Sequence, residues 1–322
     1  MYACIDLGSN SFHLLIAEWS NDEILLLERC SEKVQLGSSF QVSGEISPQA
    51  YGRGLECLEH FQTLISHHGV ERYWALGTNT FRIATNADRF VQAASSIGID
   101  ISIISGVQEA ILIYAGVISA LKDNEDNRLV IDIGGGSTEI IVGKKHKRLI
   151  TYSLPVGCVA WKDGYFGAKI NGYNELARKL DQATLAAKEV FESIAPAAKK
   201  YGWINVYASS GTAKMLTAVC QRNGNGNGNG KLTLVALRQL RATMLKAIAD
   251  GLELPGLKEK RRDLLLPGYA VMSGFMMALE CEAVNFSARA LREGMLGFMV
   301  NSGKKSQILE DDNLPDVSYA GS

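Results

Sequence analysis

"LVIDIGGGSTEIIVG", residues 129–143, sets three consecutive glycines between two runs rich in β-branched residues. Such a stretch reads as strand, tight turn, strand. Two familiar phosphate loops are excluded at once. Walker A needs G-x-x-x-x-G-K-[ST], which does not occur, and G-x-G-x-x-G fails because residue 139 is Glu139. Apolar strand rather than helix follows the glycines, so an anion here would be held by a hairpin. Without Cβ atoms, Gly134, Gly135 and Gly136 can turn successive backbone N–H groups into one concavity, and Ser137 and Thr138 add hydroxyl donors. An ordinary hairpin turn explains the same glycines.

The stretch has a partner. "ACIDLGSNSFHLLIAE" (3–18) aligns without a gap on "LVIDIGGGSTEIIVGK" (129–144), matching Asp6 with Asp132, Gly8 with Gly134 and Ser11 with Ser137. The first turn thus offers Ser9, Asn10 and Ser11 as donors. Further on, "VERYWALGTNTFR" (70–82) matches "WINVYASSGTAKM" (203–215) through Gly77-Thr78 and Gly211-Thr212. A repeat on this scale means two related α/β halves. Helical patterns such as Leu55, Leu58, Phe61, Leu64 and Ile65 fill the gaps between strands, which predicts a largely parallel sheet covered on both sides. Polar "KDNEDN" (122–127) breaks the pattern. The expected organisation is a first domain over 1–122, a second over 123–302, and a C-terminal tail over 303–322, frayed or packed back on the first domain. Two such halves facing each other leave a cleft for a ligand. "NGNGNGNG" (223–230) reads as a mobile loop.

At 322 residues the chain can bury two cores. Its 47% hydrophobic and 21% charged residues exclude a disordered chain, and a net charge of −1 excludes a dominant nucleic-acid surface. Cys4, Cys30, Cys57, Cys158, Cys220 and Cys281 are scattered without a C-x-x-C pair or metal-ligand spacing, as reduced thiols of a cytoplasmic protein would be. Asp6 interrupts the N-terminal apolar stretch, so no signal peptide is expected. The longest uncharged run, 264–279, has 16 residues including Pro267, which is short for a membrane span. The basic clusters "KKHKR" (144–148) and "KEKRR" (258–262) suit either solvated turns or the steering of a polyanion.

Asp132 and Glu139 bracket the second turn, and Asp6 holds the matching place in the first. Carboxylates beside a phosphate nest suit a hard cation such as Mg²⁺, with Mn²⁺ as the alternative. Loop capping by the aspartates and an exposed strand glutamate is the plainer reading. Ser105 and Gln108 form an S-x-x-Q capping box opening a helix over 106–121, with Glu109 in its first turn, where the helix dipole favours an acid.

Six motifs in order, "IDLGSNSFHLLIAE", "LGTNTFRIATN", "IISGVQEAILIYAGV", "LVIDIGGGSTEIIVG", "ASSGT" and "ALREGML", resemble the exopolyphosphatase and guanosine pentaphosphate phosphohydrolase family, in its short two-domain form. The resemblance runs from Ala3 to about Met299. It implies two duplicated actin-like domains of the ribonuclease H-like kind, a fold shared with sugar kinases and heat-shock ATPases. It implies hydrolysis of terminal phosphoanhydride bonds in polyphosphate, or on the 5′ side of guanosine pentaphosphate. Glu109 would be the catalytic base, Arg82 a phosphate ligand, and Asp132, Glu139 and Asp6 the Mg²⁺ carboxylates. Ser9, Asn10, Ser11, Thr78, Asn79, Gly134, Gly135, Gly136, Ser137, Thr138, Ser210, Gly211 and Thr212 would line the substrate. A homodimer is compatible with the family. The competing readings are a non-hydrolytic polyphosphate or alarmone sensor and a kinase or ATPase of the same fold.

Overall fold

Both glycine turns fold as the corner of an antiparallel hairpin. The computed structural model describes all residues except 21–22, 39–43, 123–124, 169–171, 227–229, 302–313, 316–317 and 321–322. In the first hairpin β1 (Tyr2–Leu7) pairs with β2 (Phe12–Ser20), with Asp6 opposite His13 and Leu7 opposite Phe12. β3 (Glu23–Glu32) adds a third antiparallel strand. Helix α1 (Pro48–His67) follows, with Pro48 in its first turn and the Ser47 hydroxyl accepting from the Ala50 amide. β4 (Arg72–Gly77) then lies parallel on the other edge of β1. The short α2 (Asn79–Ile83), α3 (Ala87–Ser96), β5 (Ile101–Ile103) parallel to β4, and α4 (Gly106–Ile118) complete this stretch. Side chains alternate across β1. Ala3, Ile5 and Leu7 join Leu58, Phe61 and Phe90 in one core, while Asp6 points to the opposite face.

The second unit, Asp123–Ala288, repeats the plan. β6 (Asn127–Ile133), β7 (Thr138–Lys144) and β8 (Lys147–Leu154) form the meander. After α5 (Cys158–Trp161), α6 (Gly172–Glu192) and α7 (Ala195–Lys199), β9 (Asn205–Ser209) pairs parallel with β6. α8 (Ser210–Arg222), β10 (Lys231–Thr233), α9 (Leu234–Ala249), α10 (Leu265–Ala278) and β11 (Ala283–Phe286) follow, β11 being parallel to β9. Leu129, Ile131 and Ile133 pack into a core with Leu180, Leu216, Leu240 and Phe275. Each sheet is therefore mixed, an antiparallel meander extended by two parallel strands, rather than largely parallel. The reason is the hairpins: a two-way turn can join only antiparallel strands, and parallel ones need the helical crossovers found later in each half.

The chain then returns to its first unit, which comprises Met1–Lys122 and Arg289–Ser322. The expected second domain over 123–302 is corrected here, because α11 (Leu291–Asn301) packs on α4 and β1. A Cβ on Gly116 of α4 would run into the Ala290 carbonyl, and one on Gly294 of α11 into that of Leu112. The two backbones approach as closely as glycine allows. Glu293 fixes the position by pairing with Arg29 at 2.8 Å and accepting from the Ala290 amide at 2.9 Å. Farther along, β12 (Ser318–Tyr319) adds antiparallel to the outer edge of β4 at Arg72 and Tyr73, so this piece of the tail packs back on the first unit, while 303–313, 316–317 and 321–322 lie outside the described residues. Of the Asn-Gly run, Asn223 caps α8 by donating to the Val219 and Pro255 carbonyls at 2.8 and 2.9 Å, and 227–229 lie outside the described residues. Among the described residues no helix is long and apolar enough to cross a membrane.

Replacing Gly116 or Gly294 by alanine forces α4 and α11 apart. Urea denaturation is expected to register a loss of about 1–3 kcal/mol for either, and more for Gly116→Val. An unchanged midpoint would refute the close crossing.

Candidate active site

The register of the second hairpin places Asp132 directly opposite Glu139, so the two carboxylates share one face of the sheet. The row continues on both sides, since Ser209 is the parallel partner of Asp132 and Ser153 the antiparallel partner of Glu139. Each serine supports its neighbour. Ser209 donates a short hydrogen bond to Asp132 Oδ2, and Ser153 donates to Glu139 Oε1 at 2.8 Å. Glu139 is buried rather than exposed, with 1% of its surface accessible. Like charges directly opposite one another destabilise a sheet. A divalent cation between them would reverse the sign of that interaction, and oxygen-only donors fit Mg²⁺ or Mn²⁺ rather than a softer metal. Burial pushes the Asp132 carboxyl up to about 6, with the Ser209 bond pulling against that shift. Its counterpart Asp6 stands differently, flanked in its own row by Leu76 and His13.

The triple-glycine turn closes with the Gly134 amide donating to the Ser137 carbonyl at 2.9 Å, as the Gly8 amide does to Ser11 at 3.3 Å. The start of α5 ties down the turn's carbonyls: Cys158 N–H donates to Gly134 at 3.0 Å and Val159 N–H to Gly135 at 2.8 Å. A trans peptide carries its N–H and C=O on opposite edges. The amides of Gly135 and Gly136 therefore point away from α5, in one direction, as an anion nest requires. Gly157 completes the fit, since a Cβ there would overlap the Gly135 carbonyl. In the first turn the carbonyls of Ser9 and Asn10 accept from Gly37 and Gln35 at 2.9 Å each, which aims the amides of Asn10 and Ser11 outward by the same geometry.

The hydroxyls expected to meet substrate are largely engaged within the fold. Thr138 donates to the Val156 carbonyl at 2.5 Å and is fully buried. Thr78 donates to the Leu7 carbonyl at 3.3 Å, and its repeat partner Thr212 donates to the equivalent Ile133 carbonyl at 3.1 Å. Ser9 accepts from Thr80 at 2.8 Å, Ser11 accepts from Asn10 at 3.0 Å, and Asn79 opens α2 half-buried. Ser210 adopts φ 84°, an uncommon region for a residue with a Cβ. Its Oγ accepts from the amides of Thr212 and Ala213 at 3.2 and 3.3 Å, which compensates the strain.

Glu109 and Arg82 meet in the first unit. Arg82 Nη1 donates to Glu109 Oε2 at 2.8 Å and to the Ile104 carbonyl at 3.0 Å, and Glu109 is 8% exposed. The capping box beneath them forms in both directions, Ser105 N–H to Gln108 at 2.7 Å and Gln108 N–H to Ser105 at 3.1 Å. One cation escaped the sequence reading. Arg261, from the "KEKRR" cluster that suits either solvated turns or polyanion steering, lays its guanidinium against Gly211, where a Cβ would overlap it; burial raises the nearby Cys158 thiol, and the Thr212 bond and then Arg261 pull against that shift. No spacing rule links positions 50 residues apart, so only the glycine of "ASSGT" hinted at a close neighbour.

The family model described as the Ppx/GppA phosphatase family matches residues 15–302. An exopolyphosphatase from Cytophaga hutchinsonii is 25% identical with a TM-score of 0.82, the alignment covering 94% of this chain and 98% of that one. A Ppx/GppA family member from Aquifex aeolicus is 22% identical with a TM-score of 0.75 over 95% of this chain and 99% of that one, a likeness of fold.

Because folding raises the pKa of Asp132, the folded chain holds its proton more tightly than the unfolded chain. That contribution to stability is complete below about pH 4 and is lost as pH rises through about 6. Asp132→Asn is expected to flatten this part of the stability profile, measured as urea midpoints across that range. A variant curve parallel to wild type would contradict the assigned environment.

Proposed function

Because the chain belongs to the Ppx/GppA phosphatase family of phosphohydrolases, we propose that it is an exopolyphosphatase, releasing terminal orthophosphate from inorganic polyphosphate. The observation that carries this reading is the Arg82–Glu109 pair, a buried carboxylate at a helix N-terminus held by a guanidinium at 2.8 Å. The guanidinium and the N-terminal position on α4 both hold the Glu109 carboxylate in place, and a carboxylate oxygen is the group that can accept a proton. Both bonds of Arg82 leave from Nη1, so the other edge of its guanidinium is the one that can take phosphate oxygens.

Phosphoryl transfer asks mainly for positioning and charge neutralisation. Within the first unit the amides of Asn10 and Ser11 and the Arg82 guanidinium offer donors and fixed charge to phosphate, and within the second the amides of Gly135 and Gly136 and the Arg261 guanidinium do the same. Asp132 and Glu139 would hold Mg²⁺, which when bound neutralises phosphate oxygens and polarises the scissile bond. Glu109 orients a water and takes its proton as the oxygen attacks the terminal phosphorus. The bond from that phosphorus to the bridging oxygen breaks, and the electron pair stays with the shortened chain. The resemblance of this chain to an exopolyphosphatase over 94% of its length supports polyphosphate as the substrate class.

Phosphate release should be measured on short and long polyphosphates, guanosine pentaphosphate and ATP, with and without Mg²⁺. Polyphosphate is expected to turn over fastest, only with metal present, and Glu109→Gln to slow it by about 10²–10⁴-fold. Equal rates for wild type and Glu109→Gln would remove Glu109 as base. Faster turnover of guanosine pentaphosphate would reassign the substrate, and saturable binding without release would make the protein a sensor. Arg82→Ala is expected to weaken binding and turnover together, since it strips one cation from phosphate and one partner from Glu109.

A further inference from the structure

Three side chains with metal-binding chemistry converge where β3 meets α1, with a buried thiol close by. Cys30 and Glu32, two residues apart on a strand, point to the same side. Cys57 and His60, three apart on a helix, share one face. His60 Nδ1 lies 2.7 Å from Glu32 Oε1, and Cys30 Sγ lies 4.0 Å from the same oxygen. The donor atoms of Cys30, Glu32 and His60 all fall within 4.8 Å of one another. Cys57 is buried on the same helix face as His60, and its thiol is raised by burial first and then by the neighbouring Glu32 and Cys30.

We propose that Cys30, Glu32, Cys57 and His60 form a site for a thiophilic divalent cation of the Zn²⁺ class. Two thiolates, an imidazole and a carboxylate make a four-coordinate set of the kind zinc takes, with Zn–S about 2.3 Å and Zn–N about 2.0–2.1 Å. Those bond lengths need donors about 3.5–4 Å apart, and the half-buried Cys30 and exposed His60 have rotamers free to close the difference. Mg²⁺ does not compete, because it demands octahedral oxygen ligands and both sulfurs would be wasted on it. A surface Glu32–His60 ion pair alone would not account for two thiols gathered on the same carboxylate. Burial and then the Glu32 charge raise both thiols, so they stay protonated until a cation displaces the protons.

The position gives the site a consequence. Past Glu32, the chain runs into the segment that laces the first turn, where Gln35 and Gly37 donate to Asn10 and Ser9, and Arg53 of α1 holds the Val34 carbonyl at 2.7 Å. A cation bridging β3 and α1 braces that segment from its other end. It is a structural tie next to the anion turn, separate from the Asp132–Glu139 pair.

Co²⁺ titration of the metal-free full-length chain, under a non-thiol reductant, reads the site directly. One equivalent is expected to produce thiolate-to-cobalt charge transfer in the near ultraviolet and tetrahedral bands in the visible, both abolished by Zn²⁺. Cys30 is half-buried and His60 exposed, so Cys30→Ser, which keeps the side chain's shape, and His60→Ala should fold, each weakening binding by at least about tenfold. Zn²⁺ should raise the melting temperature of wild type and not of these variants. Glu139→Gln should keep the thiolate band, which separates this site from the proposed Mg²⁺ carboxylates. No charge-transfer band at stoichiometric Co²⁺, or one unchanged in both Cys30→Ser and His60→Ala, would overturn the proposal.

Discussion

The register of the β6–β7 hairpin is the constraint from which the candidate site follows. With Asp132 opposite Glu139, the two carboxylates share a face, Ser209 and Ser153 fall into the same row, and the turn is left to Gly134 through Ser137. A slip of one residue would send one carboxylate to the Ile131–Ile140 side, into the hydrophobic core. Burying an unpaired carboxylate there would cost several kcal/mol. The apolar alternation of β6 and β7 therefore fixes the placement of the charged pair as firmly as any polar contact does.

The motifs at Gly116 and in "ALREGML" acquire a packing explanation. Gly294 and Gly116 let two helix backbones touch, and Glu293 holds the arrangement through Arg29 and the Ala290 amide. The helix so braced is the one that carries Glu109 at its N-terminus. Capping and chemistry coexist there: Ser105 and Gln108 satisfy the helix end, so Glu109 is not needed as the cap and can pair with Arg82.

Local pattern was enough to read the hairpins, the repeat and the capping box, because each depends on residues within a few positions of one another. The repeat even marks a matched bond, Thr78 to Leu7 and Thr212 to Ile133. What the sequence hid depends on distance along the chain. The return of residues 289–301 to the first unit, the seat of Arg261 on Gly211, and the gathering of Cys30 with Cys57 each join segments with no periodicity in common. The roles of hydroxyls were hidden for another reason. Thr78, Thr138 and Thr212 looked like ligand donors by type, yet each gives its hydroxyl hydrogen to a backbone carbonyl of the fold, whereas Ser9 accepts from Thr80.

The first unit closes only with α11 and β12, which follow the whole of Asp123–Ala288 in the chain. During synthesis the ribosome finishes every residue of the second unit before the first unit receives its last helix. Until then the Gly116 face of α4 has no partner and remains open to other apolar surfaces. The nascent chain thus carries an incomplete N-terminal body through most of its translation, and a chaperone holding that helix face would act before the first unit can close.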